Sequence, residues 1–418
     1  MRIVVLGAGV VGVTAAYELA SDGHEVVVVD RQEKAAMETS FSNAGMVSPG
    51  HAYTWASPRA PGILWDSLFR DDVALRLKLR ADPRMWAWCW RFLKECSAER
   101  AAINTGHKVR LCLYSQQRFE EIHRRHGFDY DRRTQGAIYV YRDRDHYERG
   151  VGAMRVLTDN GVGLRPVSTD EAVAIEPALA PDRANIAGAI HCPTDESGDC
   201  HRFTNALAGH CAEQLGVEFR WSTNVTRVRA EGDRVVGVDT DRGALQGDAY
   251  VLALGCYSPG IGRPLGLDLP VYPVKGYALT VPIEDRHQGA PSLCGVDEKY
   301  LIAWTRLGQR MRVTATAEFN GFDRSLSERD LAHMTNTIRR LFPDGGAYEK
   351  ASRWAGLRPM TPKGTPILGA SPKRNLYLDT GHGHIGWTMS MGSARILADI
   401  IGGKTPEIDL AGLTLADA

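Results

Sequence analysis

Apolar residues in this chain follow two rhythms: short continuous runs that stop at a glycine or an acid, and longer stretches whose apolar positions recur at helical spacing. Ile3 to Leu6 form the first short run and predict a buried strand. Val13 to Ala20 carry the helical spacing, and Glu25 to Val29 predict a second strand that ends in Asp30. Asp66 to Lys94, just after Trp65, interleave Phe69, Trp86, Trp88, Trp90 and Phe92 with charge. That pattern predicts helices with one buried face, and it favours core packing over an interaction surface. Lys108 to Gly127 predict an amphipathic helix, and Gln135 to Tyr141 a strand. A helix over Asn205 to Leu215 leads into a strand over Val217 to Arg220. Thr223 to Val228 and Val235 to Asp239 read as paired strands around a charged turn. Asp248 to Gly255 form another short apolar strand. Val271 to Val281, Leu301 to Trp304 and Met311 to Thr316 predict a second sheet, followed by a helix over Leu326 to Phe342. The chain closes on a strand over Asn375 to Asp379 and a helix over Met389 to Ile401.

The opening strand–helix–strand carries chemistry. Gly7, Gly9 and Gly12 form GxGxxG between the first strand and the helix. Gly7 suits a tight turn, Gly9 lets backbone approach a pyrophosphate, and Gly12 lets helix pack on sheet. The free N–H groups at the helix N-terminus favour phosphate. Asp30 is placed to accept a hydrogen bond from a ribose hydroxyl. The expected fold is therefore α/β, with a dinucleotide-binding domain interleaved with an α+β domain that holds a mostly antiparallel sheet. Residues 1–50, 195–262 and 352–418 are expected to build the dinucleotide domain. Residues 51–194 and 263–351 are expected to build a substrate domain, with the site at the junction.

Composition narrows the partners. The 418 residues suffice for two or three domains. Lys plus Arg and Asp plus Glu are each 50, which gives no electrostatic reason to expect nucleic acid. Motif glycines interrupt the apolar N-terminus, which reads as domain and not as export signal. No uninterrupted apolar run approaches spanning length. The expectation is a cytoplasmic protein, with contact at the inner face of the plasma membrane left open. The eight cysteines form no CxxC and read as scattered reduced thiols. His382 and His384 sit in a loop-like GHGHIGW, and no metal is expected. Asp195, Glu196 and Asp199 read as a solvated or helix-capping loop.

Several longer segments carry a resemblance. They are Gly7 to Asp30, ETSFSNAG (38–45) with SPG (48–50), DESGDC (195–200), ALGCYS (253–258), YPVKGY (272–277), WAGLRPMTPKGTPILG (354–369) and TGHGHIGWTMSMGS (380–393). Together they resemble the bacterial D-amino acid dehydrogenase family of the small-subunit type. That family lies within the group containing D-amino acid oxidase, glycine oxidase and sarcosine oxidase. The resemblance spans essentially the whole chain. It implies a Rossmann-type domain holding FAD, and oxidative deamination of D-amino acids to 2-oxo acids and ammonia. Hydride would pass from Cα to flavin N5, with electrons leaving to a quinone or another non-oxygen acceptor. It implies no covalent flavin link, since no cysteine follows Cys294 and the 38–45 block lacks histidine.

The resemblance also distributes roles. Arg358, in GLRPMTP, is the first catalytic candidate, because a planar guanidinium grips a carboxylate through two parallel hydrogen bonds. Tyr257 and Tyr277 are candidates to line the substrate pocket or donate a hydroxyl to that carboxylate. His51 and Tyr53 follow the SPG turn and are candidates for the same cavity, His51 as a tuner of substrate choice. Gly7, Ala8, Gly9, Val10, Val11, Gly12, Asp30 and Arg31 are expected at the dinucleotide. Ser40, Asn43, Ala44, Gly45 and Met46 resemble the loop that passes the flavin. Val225 resembles the position whose backbone meets adenine, and Ala253, Gly255 and Gly356 join this set. Gly381, His382, Gly383, His384, Ile385, Gly386, Trp387 and Thr388 resemble the loop and helix start that face the flavin ring, where a positive helix end favours an anion.

Two positions depart from the family pattern: Lys363, where an aspartate is common, and Met46, where a polar residue is common. Both bear on substrate choice. The residues leave four other readings open. They are a D-proline or 4-hydroxy-D-proline dehydrogenase, an oxygen-using glycine- or sarcosine-type oxidase, a non-catalytic flavin-binding scaffold, and an NAD(P) dehydrogenase on GxGxxG alone. Side-chain preference and oligomeric state are not legible.

Overall fold

The strand Arg2–Leu6 is apolar throughout its inner positions because both its faces are covered. It lies inside a six-stranded sheet ordered Ile367–Ala370, Leu376–Thr380, Ala249–Leu252, Arg2–Leu6, Glu25–Val29 and Glu218–Arg220. The strands run parallel except Ile367–Ala370, which pairs antiparallel with Leu376–Thr380. The computed structural model describes residues 1–67 and 75–418, so Phe69 lies outside the described residues. Helices Val10–Ser21, Cys200–Gln214 and Gly386–Ile401 share one apolar cluster with one face of this sheet. The other face meets a three-stranded meander, Val225–Glu231, Arg234–Thr240 and Gly243–Leu245. This is the expected α/β dinucleotide architecture.

The second sheet has nine strands and is mostly antiparallel. Its strongest pairing joins Tyr272–Pro282 to Arg310–Phe319 on one side and to Ser352–Met360 on the other. Helix Glu328–Leu341 buries Leu331, Met334, Ile338 and Leu341, a helical-spacing stripe, against this sheet. Ser327 and Asp330 close a capping box at its start.

The structure moves two expected boundaries. Strand Ser352–Met360 was assigned to the dinucleotide domain but pairs along its length with Tyr272–Pro282, so the handover falls after Met360. Helix Ala98–His126 starts ten residues before the expected Lys108. Phe119 and Ile122 of this helix join the dinucleotide-domain core, so it fastens the two units together. The aromatic segment is also split. Trp88 and Phe92 are buried, whereas Trp65, Trp86 and Trp90 are 65%, 44% and 63% exposed. Core packing therefore accounts for only part of that segment. All eight cysteines are free and buried. No helix among the described residues is long and apolar enough to cross a membrane.

Candidate active site

The two sheets share one cavity of about 1390 Å³, and the sequence candidates distribute along it. Gly7, Gly9, Val10, Val11, Asp30 and Arg31 line one end. Gly7 has φ +108°, and a Cβ there would stand 2.6 Å from the Ala253 carbonyl oxygen. A Cβ on Gly12 would overlap the Gly7 carbonyl, so Gly12 keeps the helix against the turn from behind the lining. Ser40 Oγ accepts from the Val10 N–H at 3.0 Å and joins the 38–45 loop to the helix start. Asp30 accepts from the N–H groups of Ala8 (2.6 Å) and Gln32 (2.8 Å). Burial raises its carboxyl pKa and those two backbone donors oppose the rise. Tyr257 belongs to this end as well. The Arg31 guanidinium covers its ring at 4.0 Å, and Phe322 stacks on it at 5.2 Å. The substrate-pocket role expected for Tyr257 therefore gives way to packing beside the residue that follows Asp30.

The middle of the cavity is lined by Ser40, Asn43, Ala44, Gly45 and Met46 from one side. Val225, Ala253, Gly255 and Gly356 also line the cavity. Gly381, His382, Gly383, His384, Ile385, Gly386 and Trp387 complete the wall at the start of helix Gly386–Ile401. Asn43 Oδ1 accepts from the Gly45 N–H at 3.0 Å, and Arg312 donates to the Asn43 carbonyl at 3.0 Å. Thr388 and Ala8 stand behind the lining. Thr388 Oγ1 accepts from the Ser48 N–H at 3.1 Å, tying residues 46–48 to the helix start. His382 is structural: its Nε2 is 2.9 Å from Ser393 Oγ and 3.3 Å from Asp379 Oδ1.

Beyond this wall stands Arg358. Its strand neighbour across the pair is Val274, and the adjacent Gly276 lies beneath its guanidinium, where a Cβ would overlap it. Opposite Gly276 the register slips, and Thr316 takes φ +64°, a costly conformation for a β-branched residue. That bulge aims the Thr316 carbonyl at Arg358 Nη1, 2.8 Å away; the Lys275 carbonyl lies at 3.4 Å. The guanidinium faces the Trp55 ring at 5.9 Å. No carboxylate among the described residues pairs with it, and burial alone pulls its pKa down to about 10. A half-buried cation with only neutral partners is a socket for an anion.

Tyr277 lines the cavity, but its hydroxyl donates to Glu318 Oε2 at 2.9 Å, and Glu318 in turn pairs with Lys275 at 2.9 Å. The expected donation to a substrate carboxylate is replaced by this buried network. His51 and Tyr53 both line the cavity, edge to face at 5.9 Å. Sequence reasoning missed four contributors here. Trp55 stacks on His384 at 4.8 Å. Glu298 Oε1 meets His51 Nε2 at 3.0 Å. Lys108, fully buried, donates to the Tyr53 carbonyl at 2.9 Å and lies 3.4 Å from His384 Nε2. Burial pulls its pKa down to about 7. A lysine on the buried face of a helix was a readable signal for it. Asp195 is the fourth: it is buried, not solvated, and accepts from Gly50 N–H (2.9 Å), Ser48 Oγ (3.2 Å) and the Tyr139 hydroxyl. Asp199 does cap a helix, accepting from the Arg202 N–H at 3.1 Å. Among the described residues no His, Cys, Asp and Glu cluster is placed to hold a metal ion.

A glycine turn into a helix, an acid closing the second strand and an apolar cavity leading to a half-buried cation define a dinucleotide-dependent oxidoreductase. Residues 2–400 match the family model described as DAO, FAD dependent oxidoreductase, and the chain belongs to this family. It is 47% identical over 414 residues to a D-amino acid dehydrogenase of Paramagnetospirillum magneticum, covering 99% of this chain and 98% of that one. It is 46% identical over 417 residues to a D-amino acid dehydrogenase of Bradyrhizobium diazoefficiens, with the same coverage. Glycine oxidase from Geobacillus kaustophilus shares the fold, with TM-score 0.77 at 24% identity over 99% of this chain and 98% of that one. FAD is the cofactor of the family. The residues fit it: Gly7 and Gly12 allow the tight turn and close helix packing that a Cβ on either would block, Gly7 and Gly9 line the cavity at the helix start, and Asp30 faces the same cavity.

Proposed function

We propose that this chain oxidises D-amino acids to 2-oxo acids and ammonia, as a D-amino acid dehydrogenase. The half-buried, carboxylate-free Arg358 at the far end of the cofactor cavity carries the reading, with support from the names of its relatives. Residues Gly7, Gly9, Asp30, Ser40 and Gly45 would hold FAD, which supplies a two-electron acceptor for the Cα hydrogen. Arg358 binds the substrate carboxylate in a fork that lysine cannot form. Trp55 supports the guanidinium face and narrows the pocket, and the apolar walls keep bulk water from the reacting carbon.

The electrons pass to a quinone or another non-oxygen acceptor at the inner face of the plasma membrane. The exposed face of helix Pro83–Lys94 supports contact with lipid there. Trp86, Trp90 and Leu93 are exposed on this helix; Trp65, Leu79 and the basic Arg80, Arg84 and Lys94 are exposed as well. Anaerobic addition of D-alanine should bleach the flavin and L-alanine should not. A flavin left oxidised by every D-amino acid tried would refute the reading. Cosedimentation with anionic vesicles, lost in a Trp86→Ser and Trp90→Ser double variant, tests the surface.

A further inference from the structure

His51 is held more firmly than a pocket-lining residue requires. The one-turn helix Pro49–His51 is pinned from below by Asp195, which takes the Gly50 N–H and the Ser48 hydroxyl. Asp195 also takes the Tyr139 hydroxyl, and the Tyr139 ring stacks on the imidazole at 5.2 Å and 25°. At the ring edge Nε2 meets the Glu298 carboxylate at 3.0 Å. Glu298 is itself fixed, because its backbone N–H donates to the Val140 carbonyl at 2.9 Å. Nδ1 has no hydrogen-bond partner among the described residues, and His51 lines the same cavity as Arg358. An imidazole clamped by a carboxylate at one nitrogen and open at the other is the arrangement of a general base.

The geometry points to His51 as the base that takes the ammonium proton of the bound amino acid at Nδ1, with Glu298 and Tyr139 as its positioning residues. The inference rests on the D-amino acid reading above. A zwitterion has no nitrogen lone pair with which to form C=N as the Cα hydrogen leaves. In the proposed step one substrate N–H bond breaks and one Nδ1–H bond forms. The ammonium becomes an amine, and the neutral imidazole becomes an imidazolium whose charge the Glu298 carboxylate balances. The freed lone pair then makes the C=N bond as the Cα hydrogen departs with its electrons to the family's two-electron acceptor.

Among the described residues, the charged and titratable groups facing His51 are Glu298, Tyr53, Tyr139 and His384, with Lys108 behind Tyr53 and His384. Tyr141 and His146 face Glu298, and Asp195 lies behind Tyr139, outside the cavity lining. Burial raises the three phenols above their usual range, and it lowers His384 and His146. These phenols and histidines therefore stay neutral while the substrate amine titrates. His384 is a poor alternative base, since its Nδ1 is sealed from solvent as well as unpartnered.

The test mixes holoenzyme anaerobically with D-alanine from about pH 6 to pH 10 and follows flavin reduction. The wild type should keep its rate well below the pH at which the free substrate amine loses its proton. His51→Asn should be slower by roughly 100-fold near pH 7 and should climb about tenfold per pH unit along the substrate amine titration. Glu298→Gln should displace the profile. A second readout needs no turnover. 2-Aminoisobutyrate lacks a Cα hydrogen, so it binds without being oxidised. In 15N-histidine spectra near pH 8 its binding should convert the His51 ring from neutral to imidazolium. That experiment uses wild-type protein and stands even if His51→Asn does not fold. A His51→Asn profile parallel to wild type, an altered substrate preference with an unmoved profile, or a His51 ring that stays neutral overturns the base assignment alone. A wild type that no D-amino acid reduces at any pH removes the parent reading and this one with it.

Discussion

Replacing Arg358 by methionine separates a binding group from a structural one, because the structure gives the two roles opposite consequences. Methionine keeps an unbranched side chain of similar reach and removes the charge. Burial lowers the Arg358 pKa from 12.5 to about 10, so holding the cation in the unliganded pocket costs about 3 kcal/mol. The substitution relieves that cost. It also strips the donor from the Thr316 and Lys275 carbonyls, a penalty of about 1–3 kcal/mol. The two effects oppose each other, and unliganded Arg358→Met should unfold within about 2 kcal/mol of wild type. Ligand binding behaves otherwise. Losing the partner of a buried carboxylate costs about 2–5 kcal/mol, or roughly 30- to 5,000-fold in affinity at 1.4 kcal/mol per tenfold. The assay is the denaturation midpoint of FAD-loaded protein with and without 2-aminoisobutyrate. At a ligand concentration about 100 times the wild-type Kd, wild type gains about 2.7 kcal/mol, and the variant should gain less than about 1 kcal/mol. A ligand-dependent gain retained in Arg358→Met would show that the carboxylate binds elsewhere. A loss above about 4 kcal/mol without ligand would show that the guanidinium is there to hold the sheet.

The same site makes other outcomes measurable. Gly276→Ala places a Cβ in the Arg358 guanidinium, and it should lower kcat/KM for D-alanine by at least tenfold while the flavin stays bound; unchanged kinetics would show that Arg358 has room to move. Tyr277→Phe should lower stability by about 1–3 kcal/mol, because Glu318 Oε2 loses its donor, and leave the affinity for 2-aminoisobutyrate within about threefold, whereas a large loss of affinity would return Tyr277 to the substrate. Lys108 has a folded pKa of about 7 against 10.5 for an ordinary lysine. Between those values the unfolded chain binds the proton and the folded chain does not, so its contribution makes stability rise with pH, by up to about 5 kcal/mol across the window. Lys108→Met should flatten that rise, and a pH–stability curve identical to wild type would refute the assignment. Asp30→Ala removes the acceptor of the Ala8 and Gln32 N–H groups and should reduce the FAD retained through gel filtration; full retention would leave Asp30 a role in the turn alone.

The dinucleotide end was legible because its chemistry is local. Strand, glycine turn, helix and acid lie within thirty residues, and each constrains the backbone where it stands. Glu25–Val29 was read to the residue because a strand buried on both faces must be continuously apolar and must end where the polar site begins. At the substrate end Arg358, His51, Tyr53 and Tyr277 were legible as cavity residues, through their motifs, but their partners were not. The features that make Arg358 a socket come from two strands and a loop: the absent side chain at Gly276, the bulge at Thr316 and the Trp55 ring. None of these shows itself in a linear pattern until pairing register is known. Glu298 and His51 are 247 residues apart and meet because strand Cys294–Asp297 runs parallel to Ala137–Tyr141, beside the turn that Asp195 anchors. Asp195 looked like a loop acid for the same reason: nothing nearby in sequence marks a carboxylate whose three donors come from residues 48, 50 and 139. The sequence motif thus points to the group proposed to bind the carboxylate. The group that handles the amine proton is built from tertiary contacts alone, so a close relative can keep Arg358 while replacing His51 and change its pH dependence without changing its fold.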